Sequence, residues 1–221
     1  MIFVDYNKIA DKFSASRKNM KWEEISYFFN FIENLKNKSI LDIWCGSGRL
    51  LEQLSEKFNI NDFTYLWLDL SDKMIENAKK NYPDKDFLNL NMLDIDKIDK
   101  KFDYIFFIAS FHHLDNLEDR EDVLKKAKSL LKIDGKIFMT NWALDSEVNK
   151  EKYWKYIISW SKNKFWSLDY KIPFWDYERY YHGFNLDELK FLFEKTWFEI
   201  IENRLFDNKK NFISILQKNW D

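Results

Sequence analysis

The 221-residue chain has one cysteine, Cys45, and three histidines, so neither an internal disulfide nor a Cys/His metal framework can be assembled from it. No metal site is expected. Long apolar runs are also missing, since the longest, such as residues 104–110, fall far short of the roughly 20 residues that cross a bilayer. The start, MIFVDYNKIADK, places Asp5 and Asp11 where a secretory leader would carry basic residues and a long apolar core, so the chain is expected to be cytoplasmic and not membrane-bound. Neither sign of charge dominates, with 35 Lys+Arg against 37 Asp+Glu, which removes any global attraction to DNA. The scarcest residue is glycine. At about 7% an average chain of this length holds roughly 15, whereas this one has 4 Gly and 10 Trp, together 14.

What remains, 46% apolar and 33% charged residues, suits one ordinary globular domain, 1–221. Residues 1–37 place Ile9, Phe13, Trp22, Ile25, Phe28, Phe29 and Ile32 at three-to-four spacing, which predicts two leading helices. Over 38–143 short apolar runs alternate with helical segments: SILDI, FTYLWLDL, DFLNLNML, FDYIFFIAS and KIFMTNWA read as strands. Ser71 is a candidate helix cap, and Pro83 ends the helix it starts. Residues 185–221 add a helix, LDELKFLFEKT, and a hairpin, FEIIENRLF with NFISILQK. The alternation predicts an α/β, doubly wound, Rossmann-like sheet of seven strands, mostly parallel with an antiparallel C-terminal strand, behind an N-terminal helical lid. Residues 144–184 break the pattern. Between 146 and 171 they carry six Lys against Glu147, Glu151 and Asp169, interleaved with Tyr153, Trp154, Tyr156, Trp160, Phe165, Trp166 and Tyr170. An insertion after the fifth strand lies where a substrate approaches an open α/β sheet, so it reads as a substrate cap.

The segment SILDIWCGSGRLLEQL is a buried strand, an acid, a glycine turn and a helix. Gly46 and Gly48 let the backbone approach a ligand, and the helix start offers unpaired N–H groups. Asp69, 21 residues past Gly48 at the end of the next strand, is placed to accept both hydroxyls of a ribose. This predicts a nucleoside-cofactor site at Asp42, Gly46, Gly48 and Asp69. A dinucleotide fingerprint G-x-G-x-x-G fails in either frame, at Arg49 or at Leu51, and no G-K-S/T phosphate loop exists. A nicotinamide oxidoreductase would need the missing third glycine.

The D-x-W-C-G-S-G arrangement resembles the first motif of the class I S-adenosylmethionine-dependent methyltransferases, acid-x-Gly-x-Gly-x-Gly. LDLSDKMIENAKK resembles their second motif, and FDYIFFIASFHHLDN with LLKIDGKIFMTNW resembles their fourth and fifth strands. That resemblance covers roughly residues 38 to 142. It implies S-adenosyl-L-methionine as cofactor, held by Asp42, Gly46, Gly48 and Asp69, by Leu70 and Met74 after the second strand, by Asn91, Met92 and Leu93 around the adenine, and by Ala109 after the fourth strand. A narrower resemblance, to the methyltransferases that esterify a carboxymethyl group on the wobble uridine of tRNA, rests on YNKIADKFSASRKNMKWEEISYFF, the pair His112 and His113, NWAL, and RYYHGFNLDELKFLFEKTWFEIIE. It implies a tRNA substrate, with a small-molecule substrate as the alternative, and leaves open whether a small activator protein is required. A carboxylate acceptor would need positioning by a cation, Arg179 or a lysine, rather than deprotonation. For a hydroxyl or amine, His112 or His182 becomes the candidate base. Cys45 reads as a packing residue.

Against this motif Trp44 stands where the first loop glycine belongs, beside the methionine end of the cofactor. Trp67 fills a glycine slot in the second strand. Trp197 follows a helix end where a left-handed glycine is usual and a side chain costs about 1–2 kcal/mol. Glycine codons read as tryptophan would explain these three, with Trp160, Trp166, Trp175 and Trp220 as further candidates; Trp22 and Trp142 match tryptophans of the narrower family. Taken literally, Trp44 makes a non-catalytic partner subunit the competing reading.

Overall fold

The computed structural model describes residues 6–17, 20–46, 48–160 and 164–218; Trp220 lies outside them. Two leading helices, α1 (Tyr6–Arg17) and α2 (Glu23–Phe28), precede the alternating core. There follow β1 (Ser39–Ile43), α3 (Arg49–Ser55), β2 (Thr64–Asp69), α4 (Asp72–Asn81), β3 (Asp86–Asn89), β4 (Phe102–Ile108), α5 (Leu117–Leu130) and β5 (Leu131–Trp142). The insertion holds α6 (Lys150–Tyr153), β6 (Ile157–Trp160), β7 (Leu168–Phe174) and β8 (Tyr177–Gly183). The chain closes on α7 (Leu186–Lys195), β9 (Phe198–Leu205) and β10 (Asn211–Lys218).

The main sheet has the order β3-β2-β1-β4-β5-β10-β9. Strands β1 to β5 pair in parallel, and β10 runs antiparallel to both of its neighbours. This is the expected sheet. Its parallel strands are apolar on both faces, as a sheet covered on both sides requires. On β4, Ile105 and Phe107 pack on one side with Val123, Leu124 and Leu189, while Phe106 packs on the other with Phe28 and Phe138. Strand order turns back between β1 and β4, so their carboxyl ends leave a crevice.

Two elements differ from the sequence reading. The third strand, expected over 86–93, stops at Asn89, because the Asn91 side chain accepts the Leu93 N–H at 3.1 Å and starts a 3-10 turn over Met92–Lys97. The insertion, given no regular structure beforehand, contains a three-stranded antiparallel sheet, β6-β7-β8. Strand β8 reaches back over the crevice, and a helix-side cluster fixes it. His182 on β8 bonds Asp169 at 2.8 Å and Glu188 at 2.9 Å, and Glu188 also holds Arg120 at 3.3 Å.

Candidate active site

The loop after β1 is tied to β2 by two hydrogen bonds, from the N–H groups of Trp44 (2.7 Å) and Cys45 (3.2 Å) to the Leu68 carbonyl. The Gly46 N–H donates to one Asp69 oxygen at 3.0 Å and the Ser71 N–H to the other at 2.9 Å. Gly46 and Gly48 both have positive φ, +57° and +94°, and Gly48 caps α3. A Cβ at Gly48 would collide with the Trp67 ring. Asp42 is buried and accepts the Tyr65 hydroxyl at 2.7 Å. Burial pushes the Asp42 carboxyl up to about 7 and that of Asp69 up to about 6.

A cavity of about 200 Å³ opens here, between that loop and a second wall built by α1 and β8. The second wall carries Tyr6, Phe13, Arg17, Arg179 and Tyr181. Arg179 is 5% exposed, its Nε has no hydrogen-bond partner, and among the described residues no carboxylate pairs with it. Its guanidinium lies 4.5 Å from the centre of the Phe174 ring and 5.2 Å from that of Tyr181. Burial, and then the charge of Arg179, lower the pKa of Arg17. Arg49 joins them at the cavity, its pKa lowered to about 10 by burial and by Arg17.

The two histidines of the loop after β4 differ. The Trp142 N–H donates to His112 Nδ1 at 3.2 Å, so the neutral ring carries its proton on Nε2, which has no hydrogen-bond partner among the described residues. Burial holds the ring's pKa well below the usual histidine value. His113 Nδ1 lies 2.8 Å from the Tyr180 carbonyl, which can only accept, so Nδ1 is protonated and Nε2 keeps its lone pair. Burial lowers the pKa of His113 to about 4.

Of the expected site residues, Asp42, Trp44, Gly46, Asp69, Leu70, Met74, Ala109, His112 and Arg179 line the cavity. Gly48, Asn91, Met92, Leu93 and His182 do not line it. Asn91 caps its own turn and Met92 is fully buried in the core, so the adenine contacts expected of 91–93 are not at the cavity. His182 lies off the cavity, with its two ring nitrogens against Asp169 and Glu188. His112 has its Nδ1 lone pair engaged by the Trp142 N–H, whereas His113 keeps the lone pair on Nε2. Tyr6, Arg17 and Arg49 were missed. Their signal was present: Tyr6, Phe13 and Arg17 fall at i, i+7 and i+11, one face of a helix.

Residues 41–137 match the family model described as a methyltransferase domain. The tRNA (carboxymethyluridine(34)-5-O)-methyltransferase of Saccharomyces cerevisiae is 29% identical over 67% of this chain and 50% of its own length. The chain spans about half the length of the curated relatives it matches. An S-adenosylmethionine-dependent methyltransferase from Clostridium acetobutylicum has the same fold, with a TM-score of 0.71 and 15% identity over 97% of this chain and 99% of that one. So has a methyltransferase solved with the Haloferax volcanii Trm112 methyltransferase activator, with a TM-score of 0.71 and 13% identity over 100% of this chain and 99% of that one. The segment 41–137 is thus similar to a methyltransferase domain, and the fold is that of the S-adenosylmethionine-dependent methyltransferase from Clostridium acetobutylicum.

The residues present fit that cofactor at one end only. Asp69, oriented by two backbone N–H groups at the cavity, suits a ribose diol. At the other end the Trp44 side chain lines the cavity 5.6 Å from the His113 ring, and the volume of about 200 Å³ is below the roughly 300–1,000 Å³ usual for small-molecule sites. As the sequence stands, the amino-acid end of the cofactor does not fit.

Proposed function

We propose that the protein methylates a carboxylate, using S-adenosylmethionine, and that the carboxylate belongs to a carboxymethyl group on the wobble uridine of tRNA. The observation that carries this reading is Arg179: a buried guanidinium at the cavity, with Arg17 beside it and no carboxylate of the described chain to neutralise it. An unpaired buried cation is costly, and an ionised carboxylate supplies its missing partner through charge-assisted hydrogen bonds. A carboxylate also needs no base at neutral pH. That agrees with an Arg-rich acceptor wall and with a His112 ring whose Nδ1 lone pair already accepts the Trp142 N–H.

The yeast relative supports tRNA as the carrier of that group. So does the cap, where Lys150, Lys152 and Lys155 are exposed beside an exposed Trp154, a pairing of cations and aromatic surface that suits a nucleic-acid strand. The likeness to the activator-bound methyltransferase supports a small activator protein as partner. The test is transfer of labelled methyl to tRNA bearing carboxymethyluridine, with and without such an activator, beside small carboxylic acids. Label on tRNA that mild alkali releases as methanol is the expected result. Alkali-stable label would exclude an ester, and label on the small acids alone would exclude tRNA.

A further inference from the structure

The backbone shows which tryptophans occupy glycine positions. Among the described residues eight non-glycine residues have positive φ, and four of them are tryptophan: Trp44 (59°), Trp166 (57°), Trp175 (52°) and Trp197 (60°). The others include Asn37 and Asp134, whose short side chains tolerate that region, whereas a bulky ring does not. Burial gives no compensation, since Trp166, Trp175 and Trp197 are 73%, 56% and 74% exposed.

Each local setting asks for glycine independently. Trp197 follows the last turn of α7, where its N–H bonds the Glu194 carbonyl at 3.0 Å, the left-handed stop that glycine usually makes. Trp175 is the first of the two residues joining β7 to β8, with Phe174 paired to Tyr177, and only that first residue has positive φ. Such a hairpin turn takes glycine first. Trp44 has the same φ in the loop that meets the cofactor. Trp67 adds a different sign: it is wholly buried, its indole N–H has no hydrogen-bond partner, and its ring presses on Gly48. By contrast Trp142 stacks on Tyr181 with centroids 5.0 Å apart, and Trp22 has Arg49 over its ring at 4.5 Å.

We infer that positions 44, 67, 166, 175 and 197 carry glycine in the protein its own cell makes, encoded by UGA read as a glycine codon, and that the cofactor's amino-acid end occupies the space of the Trp44 side chain. The composition agrees in direction, because glycine at these five positions would raise the count from 4 to 9, toward the roughly 15 of an ordinary chain of this length. The space is bounded by Asp42 and His113 and takes a compact zwitterionic chain rather than an indole. This deepens the methyltransferase reading and rests on it only for the ligand.

The experiment reads the gene and the natural protein, then measures binding. UGA codons at these five positions with UGG at Trp22 and Trp142, and peptides of the native protein carrying glycine at position 44, are expected. UGG at positions 44 and 197, or UGA with tryptophan in the native peptides, overturns the inference. Titration with S-adenosylhomocysteine then compares the tryptophan form with a form carrying Trp44→Gly alone and with one carrying all five changes. At least about tenfold tighter binding by the glycine forms is expected, roughly 1.4 kcal/mol. Glycine peptides with no binding by any folded form would leave the decoding correct and remove the cofactor. Equal binding by all forms would show that Trp44 does not block the site and overturn that part.

Discussion

The two ends of the parallel strands treat carboxylates in opposite ways. At the amino end Asp103, on β4, meets Lys132 at 2.7 Å and Lys38 at 3.3 Å and accepts from Ser39. Burial raises its pKa, but the Lys132 and Ser39 bonds outweigh that and hold it at about 2. At the carboxyl end Asp42 and Asp69 are pushed up to about 7 and 6 by burial, while Arg17 across the cavity is pushed down. Acids and guanidiniums that neutralised each other would shift the other way. The fold therefore pairs its charges where they hold structure and leaves both signs uncompensated at the cavity. A cavity with an acidic wall and a separate cationic wall suits two ligands, a cationic cofactor against Asp42 and Asp69 and an anionic acceptor against Arg17 and Arg179.

The contrast breaks first where paired charges are removed. Glu188 is wholly buried beside His182 and Arg120, and Glu188→Ala leaves the buried Arg120 without its carboxylate and His182 with Asp169 alone. A loss of about 3–5 kcal/mol in unfolding free energy is expected, measured by urea denaturation. A loss under about 1 kcal/mol would mean that the cap is not held by this cluster. Arg179→Met tests the opposite class. Ester formation is expected to fall about 100-fold, on the order of two charged hydrogen bonds, with the unfolding free energy unchanged or raised. Arg179→Met that unfolds the protein while leaving turnover per folded molecule intact would make the arginine structural.

Sequence and structure agree where short-range chemistry decides. The seven strands followed from apolar runs, and Asp69 from its place at the end of one of them. The cavity's second wall was only half legible: Arg179 and its neighbours were seen as a cluster, but what puts them opposite Asp69 is the antiparallel sheet of the insertion, whose two-residue turn between Phe174 and Tyr177 carries no glycine to mark a hairpin. Asn91 misled for a local reason. An Asx cap and a strand end draw on the same residue types, and the hydrogen bond to the Leu93 N–H decided between them. The tautomers of His112 and His113 depend on partners 30 and 67 residues away and could not be read from the pair itself.

The next effect isolates the acidic wall. Asp69→Ala removes the acceptor for the Gly46 and Ser71 N–H groups as well as any bond to a ribose. Binding of S-adenosylhomocysteine is expected to weaken about 10- to 100-fold, the range of one or two charge-assisted hydrogen bonds. Carboxylate acceptor affinity, read separately, should change by less than about threefold, because Arg179 serves it. Equal losses for both ligands would mean one shared subsite and end the two-wall description.

The smallest effect changes sign with pH. Folding raises the pKa of Asp42 from the ordinary aspartate range to about 7, so the folded chain keeps a proton that the unfolded chain releases. Stability from this group is therefore highest below about pH 4 and falls as pH rises toward 7. Asp42→Asn keeps an oxygen to accept the Tyr65 hydroxyl and cannot ionise, but it buries an amide N–H₂ that needs a partner of its own. Near pH 3 Asp42 is protonated in both the folded and the unfolded chain, and only the amide cost remains, a destabilisation of about 1 kcal/mol. Near pH 8 the variant escapes the buried charge, and a net gain of about 1 kcal/mol is expected, roughly 2–4 °C in Tm for a chain of this size. Melting curves across that range should cross between the two pH values. Parallel curves would mean that folding does not raise the pKa of Asp42, and the carboxyl end of the sheet would then lose its contrast with the paired amino end.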